Sequence, residues 1–373
     1  MNNNIKFYIN KIGSPKIFVY LIIWLMILTF FGTIAQKDSG LYLVQLDYFS
    51  SWIKWFAFIP TPSAKLTMLF MTANLSCYFF KPNIWSVKKI GITITHSGVM
   101  LLLFGSGLTS LFSLEGNMII NEGESSNYFE NFYLKEFAII NTTNSEFDDY
   151  IIFDEPSLFK NNTLSHQSLP FEVEIIDYYI NCAIVQRQVP DEDFKGMAKN
   201  FYLDSIKSEK EYEQNRPGII YRLKGLNDNS DDGIYIQFMN QAIEQDFLIN
   251  KNSFKIQLRP NRTYIPFQIE LVDFKKNMHP GTEIASSFSS SINLIEDGIS
   301  RKVLIEMNVP LRHYDYTFYQ ASFIEQNGIE TSVLATVKNY GRLFPYISSV
   351  IMCIGILVHM LVMIINRFNL KKS

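Results

Sequence analysis

Gly91-Ile-Thr-Ile-Thr-His96-Ser-Gly98-Val-Met-Leu-Leu-Leu-Phe104 decides how this chain is read. Extended to Ile90 and Phe112, the stretch is apolar over the roughly 20 residues a helix needs to cross a bilayer. It also holds an imidazole in its interior. An ionisable ring at that depth is costly without a partner, so it is a functional-site candidate by default.

Working outward, three more apolar stretches appear: Ile17 to Ala35, Leu66 to about residue 81, and Phe344 to about residue 366. The first is too long for a signal peptide's apolar core and lacks a small-residue cleavage site, so it reads as a retained anchor. The second is short unless its flanking residues snorkel. Lys and Arg in the short loops set orientation. Lys6, Lys11 and Lys16 precede the first span, Lys81, Lys88 and Lys89 separate the second from the third, and Arg367, Lys371 and Lys372 follow the fourth. Segments 1–16, 82–89 and 367–373 are therefore expected in the cytoplasm, with spans at 17–35, 66–81, 90–112 and 344–366. An external loop, 36–65, carries Trp52 and Trp55 in a short element expected at headgroup level, as an aromatic belt or as a ligand contact. The segment 113–343 is expected on the outer side of the membrane.

That segment reads with period two. Phe171, Val173 and Ile175 alternate with glutamates, and the same alternation recurs at Phe254, Ile256, Leu258 and at Phe267, Ile269, Leu271. Such patterns mark half-buried antiparallel strands. Asp231-Asp232-Gly233 and Asp297-Gly298 supply turn chemistry. The run Asp191 to Asn215 reads as a helix or a long loop. The expected fold is thus a membrane protein of four transmembrane α-helices, three N-terminal and one C-terminal. A large β-rich domain, a sandwich or open barrel, is inserted between spans three and four.

The net charge of −3 and the lack of a basic stripe exclude nucleic acid as a partner. Cys77, Cys182 and Cys353 form no Cys-x-x-Cys, so neither a dithiol oxidoreductase nor a disulfide scaffold is indicated, and without Cys-x-x-Cys-His the chain is not itself a c-type cytochrome. The outer segment holds no phosphate loop, no His-Glu-x-x-His and no Gly-x-Ser-x-Gly. His166, His279 and His313 are scattered and are expected in surface or hydrogen-bonded structural roles. The domain reads as a binding surface, not as an enzyme acting alone.

Two membrane histidines remain. His96 lies about 9 Å and His359 about 10 Å from the cytoplasmic ends of their spans, at 1.5 Å per residue. Small residues flank both: Gly91, Ser97 and Gly98 in one span, Gly355 in the other. These let helices approach closely, and they also leave room for a flat macrocycle. Each histidine can ligate haem iron, or each can donate an interhelical hydrogen bond, and spacing alone leaves both readings open.

The chain resembles the ResB/CcsB family, the four-span subunit of System II cytochrome c maturation. Gly32-Thr-Ile-Ala-Gln36 and Tyr48-Phe-Ser-Ser-Trp52 resemble the family's first span and following loop. Lys89 to Gly98 resembles its third span, and Glu115-Gly116 with Asn121-Glu-Gly-Glu124 the strand entering the external domain. His279-Pro-Gly-Thr282, Phe288 to Ile292 and Pro310 to Gln320 resemble later stretches. The resemblance implies a multi-pass protein of the bacterial inner membrane, both termini cytoplasmic, with a periplasmic domain. It implies a CcsA/ResC-type membrane partner carrying a tryptophan-rich loop, haem b as cargo in transit, and apocytochrome c as recipient. It makes His96 an axial ligand of the haem iron. For His359 it carries less, because the family's second transmembrane ligand is assigned to the partner. Trp24, Trp52, Trp55 and Trp85 form no tryptophan-rich loop here, so the chain is expected to be non-catalytic alone, as one subunit of a haem lyase with a separate partner polypeptide. The rival expectation is a membrane-tethered chaperone or sensor that binds no haem.

Overall fold

The structure is a computed structural model describing residues 3–372, apart from 83, 145–146, 227–230, 242–245, 250–251, 283–284 and 327. The chain divides into two compact units, 1–114 with 338–373, and 115–337.

The first unit is helical: α1 (Asn3–Ile12), α2 (Pro15–Ser39), α3 (Leu41–Val44, running into a π-helical turn Gln45–Ser50), α4 (Ala64–Phe79), α5 (Ile90–Phe112) and α6 (Phe344–Lys372). Among the described residues three stretches are long and apolar enough to cross a membrane, Lys6–Ser39, Ile90–Phe112 and Phe344–Phe368. The expected second span is the 16-residue helix α4, about 24 Å long, below the length that hydrocarbon thickness asks of a lone helix. Between α3 and α4 the chain forms a hairpin of β1 (Ile53–Phe56) and β2 (Ile59–Pro62), paired from Ile53↔Pro62 to Phe56↔Ile59.

Helix α2 is separated from α1 at Gly13-Ser14-Pro15, where proline starts the new helix without needing an N–H partner. The carbonyls freed at this break are satisfied from α4 and just beyond it. The Asn74 side-chain amide donates to Ile12 O and, at 3.1 Å, to Ser14 O, and Lys81 Nζ donates to Gly13 O. The buried positions of α4, Ala64, Thr67, Met71, Asn74 and Leu75, fall on one stripe, the a/d spacing that packs a helix against neighbours.

The second unit is built of strands β3 (Leu114–Asn121), β4 (Ser125–Asn141), β5 (Asp149–Asp154), β6 (Thr163–Leu164), β7 (Glu172–Tyr179), β8 (Cys182–Gln186), β9 (Phe201–Ser205), β10 (Gly218–Lys224), β11 (Gly233–Phe238) and β12 (Asp246–Ile249). They continue with β13 (Asn252–Met278), β14 (Ala285–Glu296), β15 (Ile299–Glu306), β16 (Leu311–His313), β17 (Tyr316–Gln326) and β18 (Ile329–Lys338). A ten-stranded sheet runs β15-β14-β13-β4-β3-β18-β17-β16, with β12 and β5 paired at its side. A four-stranded sheet runs β11-β10-β7-β6.

The long strands β4 and β13 serve two cores. Their outer halves supply Phe137, Ile139, Phe254, Ile256 and Leu258, which face Val173, Ile175, Ile219, Tyr221 and Leu223 of the smaller sheet. This half is a sandwich. Their other halves supply Phe129, Ile265, Phe267, Ile269 and Leu271, which close on Ile292, Leu294, Ile305, Phe318 and Leu334. Here the sheet curls on itself, since Ser290 of β14 donates to Gln320 Oε1 of β17 at 2.6 Å although the two strands are far apart in sheet order. The expected "sandwich or open barrel" is thus one of each, sharing two strands.

At the waist between the cores the register of β13 on β4 slips, first at Pro260/Arg262 and again at Tyr264/Ile269. The slip admits a buried polar cluster. Glu136 accepts Arg259 Nε at 2.8 Å, Asn261 Nδ2 at 3.1 Å and the Arg262 amide at 3.2 Å. Two sequence expectations are corrected. The patterns at 254–258 and 267–271 belong to one strand, because the bulges turn it from one core to the next without a turn residue. The run Asp191 to Asn215 is neither a helix nor a plain loop. Most of it is loop with short 3-10 turns at Gly196–Lys199 and Tyr212–Gln214, and within it lies β9, which pairs with β8 from Cys182↔Ser205 to Gln186↔Phe201 and covers a small core of Cys182, Ala198, Leu203 and Ile236.

Candidate functional site

Helices α5 and α6 run antiparallel and in close contact. Glycines at a seven-residue spacing, Gly91, Gly98 and Gly105, line the α5 face. A Cβ at Gly91 would fall 2.3 Å from the His359 backbone nitrogen, one at Gly98 2.6 Å from Met352 Cγ, and one at Gly105 2.3 Å from Phe344 Cβ. From the other side, a Cβ at Gly355 would meet Thr95 Oγ1 at 2.4 Å. The small residues around both histidines are therefore spent on backbone approach, the first of the two uses the sequence allowed. Packing of this kind holds helices together where no hydrophobic force acts between them.

His96 follows Gly91 by five residues, so it lies about 7.5 Å along α5 and about 140° round from the α6-facing stripe. Its ring stacks on Tyr78 of α4, with centroids 4.6 Å apart and planes 20° apart. Its Nδ1 lies 2.7 Å from the carbonyl oxygen of Ile92, one turn earlier. A carbonyl only accepts, so Nδ1 must carry the proton. In the neutral tautomer with that proton, the lone pair is at Nε2. This is the arrangement in which a metal-ligating imidazole is usually held, with one nitrogen donating to a backbone carbonyl and the other left for the metal. Stacking by Tyr78 covers a ring face and leaves ligation in the ring plane unobstructed.

His359 sits differently. Its backbone crosses α5 at Gly91, and its half-buried side chain has Nδ1 shielded from solvent with no hydrogen-bond partner. A buried polar nitrogen in that state is uncommon and calls for a reason. The two histidines are on adjacent helices but on different sides of α5, and the geometry does not present them as a facing pair. Tyr78 and the Ile92 carbonyl went unnoticed in the sequence. The 91, 98, 105 spacing could have revealed which face α6 takes, and hence that His96 looks toward α4.

The remaining histidines have local partners. The Ser168 amide donates to His166 Nδ1 at 3.2 Å, and His279 offers its carbonyl to the amide of Thr282 at 3.1 Å. His313 Nε2 lies 3.0 Å from Glu296, which also accepts the Tyr314 hydroxyl. That hydroxyl, and after it the imidazole, holds the Glu296 carboxyl below the usual range. Among the described residues no group of three or more His, Cys, Asp or Glu side chains is placed to hold a metal ion.

Comparison with known proteins agrees with the motifs of the β-rich unit. Residues 240–339 match the model of the ResB-like family. That segment contains His279-Pro-Gly-Thr282 and the stretches 288–292 and 310–320, and it includes neither His96 nor His359. Over 276 residues, 71% of this chain, the sequence is 22% identical to Protein NrfI of Wolinella succinogenes, of which the match covers 27%. The chain thus spans about a quarter of the length of that curated relative. With the motifs in collinear order and the family match falling on three of them, the resemblance to the ResB/CcsB family is borne out.

Proposed function

We propose that this chain is a membrane subunit of cytochrome c maturation that carries haem b as cargo, holding its iron at His96. With a CcsA/ResC-type partner it delivers that cargo across the bacterial inner membrane to apocytochrome c. The observation that carries the reading is the imidazole fixed by Ile92 O with Nε2 free, inside an apolar helix. In this reading α2, α4, α5 and α6 are the four crossings, both termini are cytoplasmic, and the β-domain lies outside as the receiving surface. The cargo supplies the redox chemistry; the protein's part is to ligate, orient and keep water away. A neutral imidazole in a water-poor site favours the reduced iron that thioether formation requires. Tyr78 keeps the His96 ring from rotating, since any turn about its bonds would break the stack. His359, whose unpartnered Nδ1 is buried on another side of α5, is the lesser candidate and would meet the cargo apart from His96, not at the same iron.

The test is spectroscopic. The full chain, purified with its partner from cells supplied with porphyrin precursor, is expected to show a Soret band. His96→Gly should abolish the band, and added imidazole should restore it. An unaltered spectrum in that variant rejects His96 as the ligand. A colourless wild-type complex rejects haem carriage and leaves the membrane-tethered chaperone.

A further inference from the structure

The hairpin β1–β2 is turned inside out. Along β1, Lys54 and Phe56 point inward while Ile53 and Trp55 are exposed. At the tip, Phe58 is 93% exposed and Ile59 66%. The ammonium is the hidden part: Lys54 Nζ pairs with Asp47, whose own carboxylate is half-exposed, and sits 4.3 Å from the centre of the Tyr48 ring. A surface strand in water shows the reverse alternation.

The hairpin also lies alongside the middle of α2. Trp24 Nε1 donates to Pro62 O at 2.8 Å, and the Phe56 ring packs on Trp24 and Phe31 with centroids 6.3 and 6.1 Å away. Trp24 and Phe31 straddle the centre of the apolar run Ile17–Ala35. Further along, Gly32 accommodates the Phe49 ring, so the chain after Ser39 has already turned back along α2. Helix α4 starts at the level of Trp24 and reaches the level of Ser14 by Asn74. Its shortness then has an explanation, because it needs to cross only the inner part of the layer.

Backbone polarity is managed as a hydrocarbon surrounding demands. Irregular or edge backbone survives at membrane depth only where its polar groups are satisfied. Pro60 and Pro62 have no N–H, and proline in a ladder occupies the positions whose N–H would face away from the partner strand. Pro62 O is taken by Trp24, Lys54 O by Thr61 Oγ1 at 2.8 Å, Trp52 O by the Ser63 amide at 3.2 Å, and Ser51 O by the Ser63 hydroxyl.

We propose that Tyr48–Pro62 is a re-entrant segment whose apolar face, Ile53, Trp55, Phe58 and Ile59, contacts lipid acyl chains, so that the second crossing is a composite of π-turn, β-hairpin and α4. Lipid is the occupant because the residues that α2 exposes at the levels the hairpin touches, Ile23, Ile27 and Phe30 among them, are apolar as well. The proposal rests on the membrane reading above and places the segment deeper than a headgroup belt.

The test labels Phe58→Cys with a nitroxide in a Cys77→Ser, Cys353→Ser background, with Phe30→Cys on α2 as reference. The full chain is reconstituted in phosphatidylcholine liposomes, and collision with oxygen is compared with collision with a water-soluble nickel chelate. Both labels are expected to favour oxygen several times over nickel. Nickel preference at 58 with oxygen preference at 30 overturns the re-entrant segment alone, whereas nickel preference at both overturns the membrane reading itself. Shielding of 58 from both reagents means a protein covers the face, which also overturns the proposal. A measurement without cysteine changes uses Trp85→Phe and brominated phosphatidylcholines. Acyl-chain bromines should quench the remaining tryptophans more than bromines near the headgroup; the opposite order refutes the placement.

Discussion

Replacing Gly91 by alanine tests the helix pair on which the placement of both histidines depends. The added Cβ would sit 2.3 Å from His359 N, 2.6 Å from its Cα and 2.7 Å from Gly355 O, where ordinary contact begins at 3.4 Å. All three obstacles are backbone atoms of α6, so no side chain can swing aside, and the helices must part by about 1.1 Å at this level. Overpacking of this kind costs about 1–3 kcal/mol. Alanine's better helix propensity returns about 1 kcal/mol, leaving a net loss of about 0–2 kcal/mol. Gly107 is the internal control: on the same helix nothing lies within 4 Å of its Cβ position. Gly107→Ala should therefore keep only the propensity gain and come out neutral or more stable. Reversible unfolding of the full chain in mixed micelles, followed by circular dichroism, measures both. If Gly91→Ala proves as stable as Gly107→Ala, the close crossing of α5 and α6 is wrong, and so is the direction assigned to His96.

Three further outcomes follow from other parts of the molecule. Glu136→Ala strands the nearly fully buried Arg259 charge at the waist of the β-domain, which should cost about 3–5 kcal/mol; Glu136→Leu combined with Arg259→Met should cost clearly less, and equal losses would contradict the ion-pair account. Asn74→Leu leaves the carbonyl of Ile12 without its side-chain donor, while Ser14 O keeps the Ile17 amide, and should lower stability by about 1–3 kcal/mol, whereas an unchanged melting midpoint would show that α4 is not clasping the α1–α2 break. Burial pushes the Cys182 thiol from 9.0 up to about 11, so in the folded protein iodoacetamide should alkylate it slowly at pH 8 and faster by about tenfold per pH unit above that. Because the folded pKa is the higher one, the stability this thiol contributes is complete below pH 9 and is lost as pH rises toward 11.

The parts of the fold legible in sequence were those written in a single period. The apolar helices α2, α5 and α6 announce themselves by length, and the β-domain by alternation. Asp297-Gly298 signalled a hairpin, and both residues adopt positive φ, 49° and 77°, between β14 and β15. What escaped was structure whose cause is not periodic. Strand β13 looks like two strands because bulges at Pro260 and Tyr264 switch which face meets which core, and a bulge is set by tertiary fit. Strand β9 was hidden because its polar neighbours mask a short stretch that gains its partner, β8, only across the connection 187–200.

The candidate site divides in the same manner. His96 stood out because an ionisable side chain in an apolar run is anomalous by composition alone. Its chemistry was not visible, since that depends on which nitrogen is free, and the free nitrogen is decided by a carbonyl one turn away. The direction of the ring was encoded, though in the glycines: three of them seven residues apart commit one face of α5 to the backbone of α6 and turn the imidazole toward α4. The proposed re-entrant hairpin turns on the same logic. Trp52 and Trp55 alone suit a headgroup belt, and it is the half-buried Lys54, the capped carbonyls and two prolines without N–H that argue for a strand built for hydrocarbon. In the membrane reading the residues that fix the structure are the polar ones satisfied internally, and in the described part of this segment they include Asn74, Trp24, Ser63, Thr61 and Lys54.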